Sequence, residues 1–245
     1  MNLFLDALQW IFTPSAHSGA DDLWLRIGQH LAYTFGATLI AAVIAVPLGY
    51  LIGHTGRGRD LAVFISGGLR ALPSLGVLIL IAFGVGIGFR APLATFVILA
   101  IPPLLAGAYS GVQAVDPKTV DAARAMGMTP WQVLTRVEVP LGLPLLIAGV
   151  RAAILQVVAT ATLAAYVNGG ALGAYIFLGV ATRDYTQMLG ASIVVTVLAL
   201  VLEGLFALIQ RLVVPRGVAV GRPADVRSHR TRSRAVVGSP IEEGK

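Results

Sequence analysis

The sequence predicts an all-α transmembrane bundle of five spans, and three observations predict it. The chain is 56% hydrophobic and only 12% charged, with a mean hydropathy of +0.81, whereas soluble domains carry about 25% charged residues. Five apolar runs, at about 31–53, 61–88, 92–115, 141–165 and 189–213, each hold roughly 23 residues or more, and about 20 suffice for a helix to cross the hydrocarbon core. Between the third and fourth runs lies a polar stretch, residues 116–140, far longer than a turn requires.

Residues 1–27 precede the first span. They lack a positively charged start, and Asp6 and Pro14 interrupt their apolar run. The segment therefore reads as a short interfacial helix bearing Trp10 and Phe12 rather than a cleaved signal peptide. The second span is unusually long and carries Arg70 and Pro73 in its first half. Gly84, Gly86 and Gly88 at its end read as packing or turn glycines, because no lysine follows them as a phosphate-binding loop would demand. The third span holds Pro102 and Pro103, which predict a kink. At membrane depth such a break is tolerated only beside protein or a water-filled cavity.

The polar stretch reads as two short helices. Asp116 is a good N-cap and Pro117 suits the first helical position, so a helix runs to about Met126. Gly127 fits the left-handed site that ends many helices. Thr129 and Pro130 repeat the cap-and-proline start, and Pro140 predicts an end near Val139. Residues 215–245 form a basic tail rich in Arg, Ser, Gly and Pro, which predicts disorder and affinity for anionic lipid head groups rather than for nucleic acid.

Arginines orient the bundle. Arg57 and Arg59, then Lys118, Arg124 and Arg136, then Arg211 and the tail lie on one side. Arg26, Arg90 and Arg183 lie on the other, offset by Asp6, Asp21, Asp22 and Asp184. The positive-inside rule puts residues 116–140 and the C-terminus in the cytoplasm and the N-terminus outside. There is no cysteine and no glycine-rich phosphate loop, and His17, His30, His54 and His229 show no carboxylate at ligand or catalytic spacing. We therefore assign no catalytic residue, metal or cofactor to this chain. Arg70, Arg151 and Glu203 fall at comparable depth, where unpaired charge is costly. Glu203 is expected to pair with Arg151 or Arg70, unless it faces water near the interface.

The polar loop resembles the EAA motif of ABC importer permeases, in which Glu-Ala-Ala, three residues, Gly, nine residues and Ile-x-Leu-Pro follow in order. Asp121, Ala122, Ala123, Gly127, Val137, Val139 and Pro140 fall in register, with Asp for Glu and Val at both aliphatic positions. A second resemblance, over about residues 28–214, is to permeases for quaternary-amine osmoprotectants. It rests on Leu69-Arg70-Ala71-Leu72-Pro73-Ser74, Ala148-Gly149-Val150-Arg151, and Thr160 to Ala165 followed by Asn168-Gly169-Gly170-Ala171-Leu172-Gly173. The last stretch departs from that family's Gly-Ala-Gly-Gly-Leu-Gly turn.

These resemblances imply a MetI-like, multi-pass permease domain at 28–214 in the bacterial inner membrane, with the cytoplasmic coupling loop at 116–140. They imply a cytoplasmic ABC ATPase dimer that holds the ATP and magnesium, a second permease copy or paralogue, and an extracytoplasmic solute-binding protein. The implied cargo is a compatible solute such as glycine betaine, choline, carnitine or proline. Thr160, Thr162, Asn168, Ser192 and Thr196 could line a weakly polar path or bond between packed helices. Residues 166–188 are the expected outer gate or docking surface. A permease of the same fold for methionine or another amino acid is the nearest alternative. An ATP-independent secondary carrier would show inverted repeats and a coupling-ion site, and neither is visible.

Overall fold

The computed structural model describes residues 2–13 and 22–213, and all regular structure among them is helical. The helices are α1 (Leu3–Phe12), α2 (Leu23–Thr55), α3 (Arg59–Ala71), α4 (Ser74–Val85), α5 (Arg90–Gln113), α6 (Pro117–Ala125), α7 (Pro130–Val133), α8 (Val139–Thr160), α9 (Gly173–Thr182) and α10 (Tyr185–Val213). A π turn over Leu134–Glu138 joins α7 to α8, and a 3₁₀ segment over Ala161–Val167 extends α8. Pro14 and the tail 215–245 lie outside the described residues.

Among the described residues four helices are long and apolar enough to cross a membrane: α2, α5, α10, and α8 with its flanking turns. The second expected span is not one helix. It is α3 and α4, bent by 91° at Leu72 and Pro73; counted as one broken span, the pair brings the candidate crossings to five. The cause is local. Pro73 has no N–H to donate and forces the preceding residue out of helical conformation, and Leu72 is extended at φ −67° and ψ 131°. Pro102 and Pro103 act differently: α5 remains one helix through both, and both are buried between its neighbours.

The core is a slab with α5 between α2 and α8. On α2, Gly49 and Gly53 bring the backbone against Ala108, Tyr109 and Val112 of α5. On the other side, Gly107 and Gly111 of α5 meet Gly149 and Gly142 of α8 backbone to backbone. A Cβ built on Gly111 would lie 2.6 Å from the Gly142 carbonyl oxygen. Such small-residue seams replace the hydrophobic drive that lipid cannot supply between helices. Tyr33, Ala37, Ala41 and Ala45 of α2 fill the rest with Phe96, Leu99 and Leu104 of α5.

Helix α1 packs on α10. Trp10 covers Gly190 and meets Tyr175 edge-on at a centroid distance of 5.3 Å, while Phe12 stays 80% exposed.

Candidate functional site

The loop between α5 and α8 is built as its residues dictate. Asp116 accepts a hydrogen bond from the Lys118 N–H at 2.9 Å and starts α6 behind Pro117. Thr129 and Gln132 form a reciprocal capping box: the Thr129 N–H donates to Gln132 Oε1 at 2.8 Å, and the Gln132 N–H to Thr129 Oγ1 at 3.3 Å. Gly127 between them has φ +83°, a conformation that costs an L-residue about 1–2 kcal/mol.

The two helices bury one face and show the other. Ala123 and Val133 are buried, whereas Asp121, Ala122, Met126 and Trp131 are exposed, Met126 at 77% and Trp131 at 71%. Asp121 is only 3.9 Å from Arg124 on the same exposed face. Met126 and Trp131 are large apolar side chains in a polar loop, flanking the Gly127 turn, and they lie outside the motif spacing. No local spacing singles them out, because Val120, Met128, Val133 and Leu134 are apolar residues of the same loop and only the fold shows which are exposed.

The second loop helix does not stop before Pro140. It passes through the π turn into α8, with Pro140 in the first turn of that helix. The Val139 N–H bonds the Leu134 carbonyl across five residues. The wider turn removes the usual i−4 partner that the pyrrolidine ring would strike, so a proline is accommodated without ending the helix. Val137 and Val139 are half-buried at this junction.

The same π turn carries Glu138, which is 5% exposed and lies 2.5 Å from His54 Nδ1 at the end of α2. His54 therefore has a carboxylate partner after all, 84 residues away along the chain. No local spacing could reveal it. The contact ties the exit of the loop to a different membrane helix.

Deeper in the bundle, Glu203 of α10 bonds Arg151 of α8. Arg151 Nε donates to Glu203 Oε2 at 2.8 Å, a second contact joins Arg151 Nη2 to Glu203 Oε1, and Nη1 donates to Gln210 at 3.4 Å. Arg70 is not part of this cluster. It lines a cavity of about 330 Å³ between α3 and α5, together with Arg59, Ser66, Gly67, Tyr109 and Ser110.

The five polar residues of the expected path do not converge on that cavity. Four of them donate to their own helix: Thr160 to the Gln156 carbonyl at 2.8 Å, Thr162 to Ala159 at 3.1 Å, Ser192 to Met188 at 2.8 Å and Thr196 to Ser192 at 2.8 Å. Asn168 takes a left-handed conformation, φ +56°, at the end of the 3₁₀ segment. The turn that follows is clamped to α2. Tyr33 donates to the Gly169 carbonyl at 2.8 Å, and the Ala171 N–H donates to Gln29 at 2.9 Å. Beyond it, Tyr166 and Phe177 meet edge to face at 4.2 Å, and Tyr185 is exposed.

Comparison with known proteins gives this geometry a context. The family model for the binding-protein-dependent transport system inner membrane component matches residues 45–217. The carnitine transport permease protein OpuCB of Listeria monocytogenes is 31% identical over 89% of this chain and 98% of its own length. The glycine betaine/carnitine/choline transport system permease protein OpuCB of Bacillus subtilis is 29% identical over 80% of this chain and 91% of its own. Among solved structures, a chain of the inward-facing MetNI methionine ABC transporter superposes with a TM-score of 0.69. It is 24% identical and covers 78% of this chain and 96% of its own, a likeness of fold.

Proposed function

This chain belongs to the family of binding-protein-dependent transport system inner membrane components, and from that premise we propose that it is the permease of an ABC importer for osmoprotectants of the glycine betaine, carnitine and choline class. It is a multi-pass protein of the bacterial inner membrane. The curated relatives named for those solutes match nearly their full length, which supports this cargo over methionine; the methionine transporter likeness speaks for the fold alone.

The observation that carries the coupling role is the two-faced loop of α6 and α7. Its inner face is buried and latched to α2 through Glu138 and His54, while Asp121, Ala122, Met126 and Trp131 face outward. A rigid lever with an exposed carboxylate and two apolar side chains suits docking to a separate ATPase, which would hold the ATP and magnesium. Closure of two ATPase subunits would then move the loop, and the loop would move α2 and α8 together. A second permease copy or paralogue would complete the pathway, and an extracytoplasmic binding protein would deliver solute near residues 166–188.

The ends of the helices support the orientation. Gly53 of α2 meets Val112 of α5, and Gly142 of α8 meets Gly111, so Arg57, Arg59, Lys118, Arg124 and Arg136 gather at one end of the bundle. That basic end would face the cytoplasm.

Uptake of radiolabelled glycine betaine and methionine by cells expressing the complete transporter tests the reading. Uptake of glycine betaine should depend on this subunit, and Gly127→Asp should abolish it together with co-purification of the ATPase. Subunit-dependent uptake of methionine without glycine betaine would transfer the assignment to the amino-acid class. Retained ATPase binding by both Gly127→Asp and Asp121→Lys would remove the coupling role from this loop.

A further inference from the structure

Two arginines lie well inside apolar segments of this chain, Arg151 half-buried on α8 and Arg70 exposed on α3, and their surroundings differ. Arg151 is neutralised by Glu203. Arg70 has no carboxylate partner among the described residues. It lies in the last turn of α3, just before the helix breaks at Leu72 and Pro73. An unpaired ionisable group inside a membrane span is a costly feature that marks ion or substrate pathways.

The cavity around Arg70 has the composition of a selective site. Residues 59, 62, 63, 66, 67 and 70 recur at helical spacing, so one face of α3 forms a wall. That wall has an arginine at each end, about 16 Å apart at 1.5 Å per residue, with Ala62, Val63, Ser66 and Gly67 between them. The opposite wall is α5, which contributes Leu105, Ala106, Tyr109 and Ser110, with Ile52 of α2 beside it. The Tyr109 hydroxyl donates to Gln113 at 2.7 Å, which orients its ring. Among the described residues no acidic side chain lines the space; Asp60, the carboxylate nearest in sequence, is not on this face. At about 330 Å³ the cavity is of the size that holds small ligands.

We propose that Arg70 selects solutes that carry a carboxylate, so that this permease passes zwitterionic ammonium compounds such as glycine betaine and carnitine in preference to the carboxylate-free cation choline. The guanidinium fork matches a carboxylate in two parallel hydrogen bonds, which an ammonium head cannot do. The Tyr109 face across the cavity takes the quaternary ammonium end by cation–π attraction. A solute with a positive charge alone meets Arg59 and Arg70 with nothing to offset them. This inference rests on the osmoprotectant reading above and narrows it.

The test is uptake of radiolabelled glycine betaine, carnitine and choline by the complete transporter in proteoliposomes, with the same ATPase and binding protein throughout. Because the binding protein is constant, a changed ratio between solutes is a property of the permease. Arg70→Gln should lower uptake of glycine betaine and carnitine at least tenfold and raise the choline to glycine betaine ratio by a similar factor. Arg70→Lys should recover part of the loss, and the exterior control Arg57→Gln should leave the ratio as in wild type. Co-elution with the ATPase shows whether each variant assembles; if Arg70→Gln does not, Arg70→Lys provides the second arm, with a smaller rise in the choline to glycine betaine ratio, and an unchanged ratio there overturns the proposal. An unchanged ratio in an assembled Arg70→Gln transporter overturns the proposal. So does a loss equal for all three solutes, which would make Arg70 a partner for a carboxylate of a second permease copy. So does a loss that follows the anionic lipid content of the vesicles, which would assign it to lipid phosphate. If wild type moves none of the three, the osmoprotectant reading itself falls, and this inference with it.

Discussion

Gly111 and Gly67 are both helical glycines in the same bundle, and they could hardly be placed more differently. A methyl group on Gly111 would meet the carbonyl oxygen, carbonyl carbon and Cα of Gly142 within 3.3 Å, whereas one on Gly67 would meet nothing within 4 Å. The difference holds for the regions around them. The slab of α2, α5 and α8 is joined backbone to backbone along two glycine seams. Helix α3 has no buried residue and faces a cavity. A solid slab is what a lever needs if motion at one end is to reach the other. An arm with an unfilled face is what a pathway needs, and the proposed second permease copy would cover its outer side.

The sharpest way to break this contrast is to add the same methyl to both. Gly111→Ala should destabilise the protein by the upper part of the about 1–3 kcal/mol typical of overpacking, because its neighbours are backbone and cannot turn aside. Gly67→Ala should leave stability unchanged or slightly higher, since alanine is the better helix former. Thermal melting in detergent, read by size-exclusion fluorescence, checks both. Equal melting temperatures would mean that the α5–α8 seam is not closely packed in the membrane.

A somewhat smaller effect is expected at the polar fastening between the slab's α8 and α10. Glu203→Gln leaves the half-buried Arg151 with neutral hydrogen-bond partners and should cost about 1 kcal/mol, the usual net worth of one charge-assisted hydrogen bond in part-exposed surroundings. The double variant Arg151→Met with Glu203→Met should recover most of that loss, because replacing both charges removes the desolvation penalty along with the attraction. Additive losses in the double variant would show that the two side chains act separately.

The contrast also marks what could be read from the residues alone. The long helices, the capped loop and the Gly127 turn were legible because each depends on local chemistry: apolar length, cap residues, a position that favours glycine. The break at Pro73 was only half legible. A proline at that place is visible, but α5 keeps helical continuity through Pro102 and Pro103, so the outcome depends on whether neighbours hold the chain on both sides. Around α5 they do; around α3 they do not. Contacts between distant segments were not legible at all. Glu138 and His54 meet across the loop, and the choice of Arg151 over Arg70 as the partner of Glu203 depends on which faces α8, α10 and α3 present.

His54 and Glu138 join the exposed loop to the slab, so they test whether the lever is stiff. Glu138→Gln keeps the size and one hydrogen bond but removes the charge, and should lower the melting temperature by only a few degrees, as a loss of about 1 kcal/mol would in a chain of this size. Its larger effect should be on coupling: ATP hydrolysis by the assembled transporter should respond less to loaded binding protein, while the ATPase still co-purifies. His54→Ala should do the same. Normal stimulation in both variants would place the connection between loop and slab elsewhere, in the buried contacts of Ala123, Val133 and Leu134.

Trp131 should have the smallest effect on this chain and a clear one on its partner. Its side chain is 71% exposed on the outward face of the loop, so Trp131→Ala removes little buried contact and should leave the melting temperature of the isolated permease unchanged. Large aromatic side chains at the centre of an interface typically account for 2 kcal/mol or more of binding when truncated, about a thirtyfold loss of affinity. Weaker capture of the ATPase by an otherwise normal Trp131→Ala permease would therefore identify the outward face of α6 and α7 as the docking surface. Unweakened capture, with Met126→Ala equally without effect, would mean that the ATPase is held through the charge of Asp121 or through another part of the basic end.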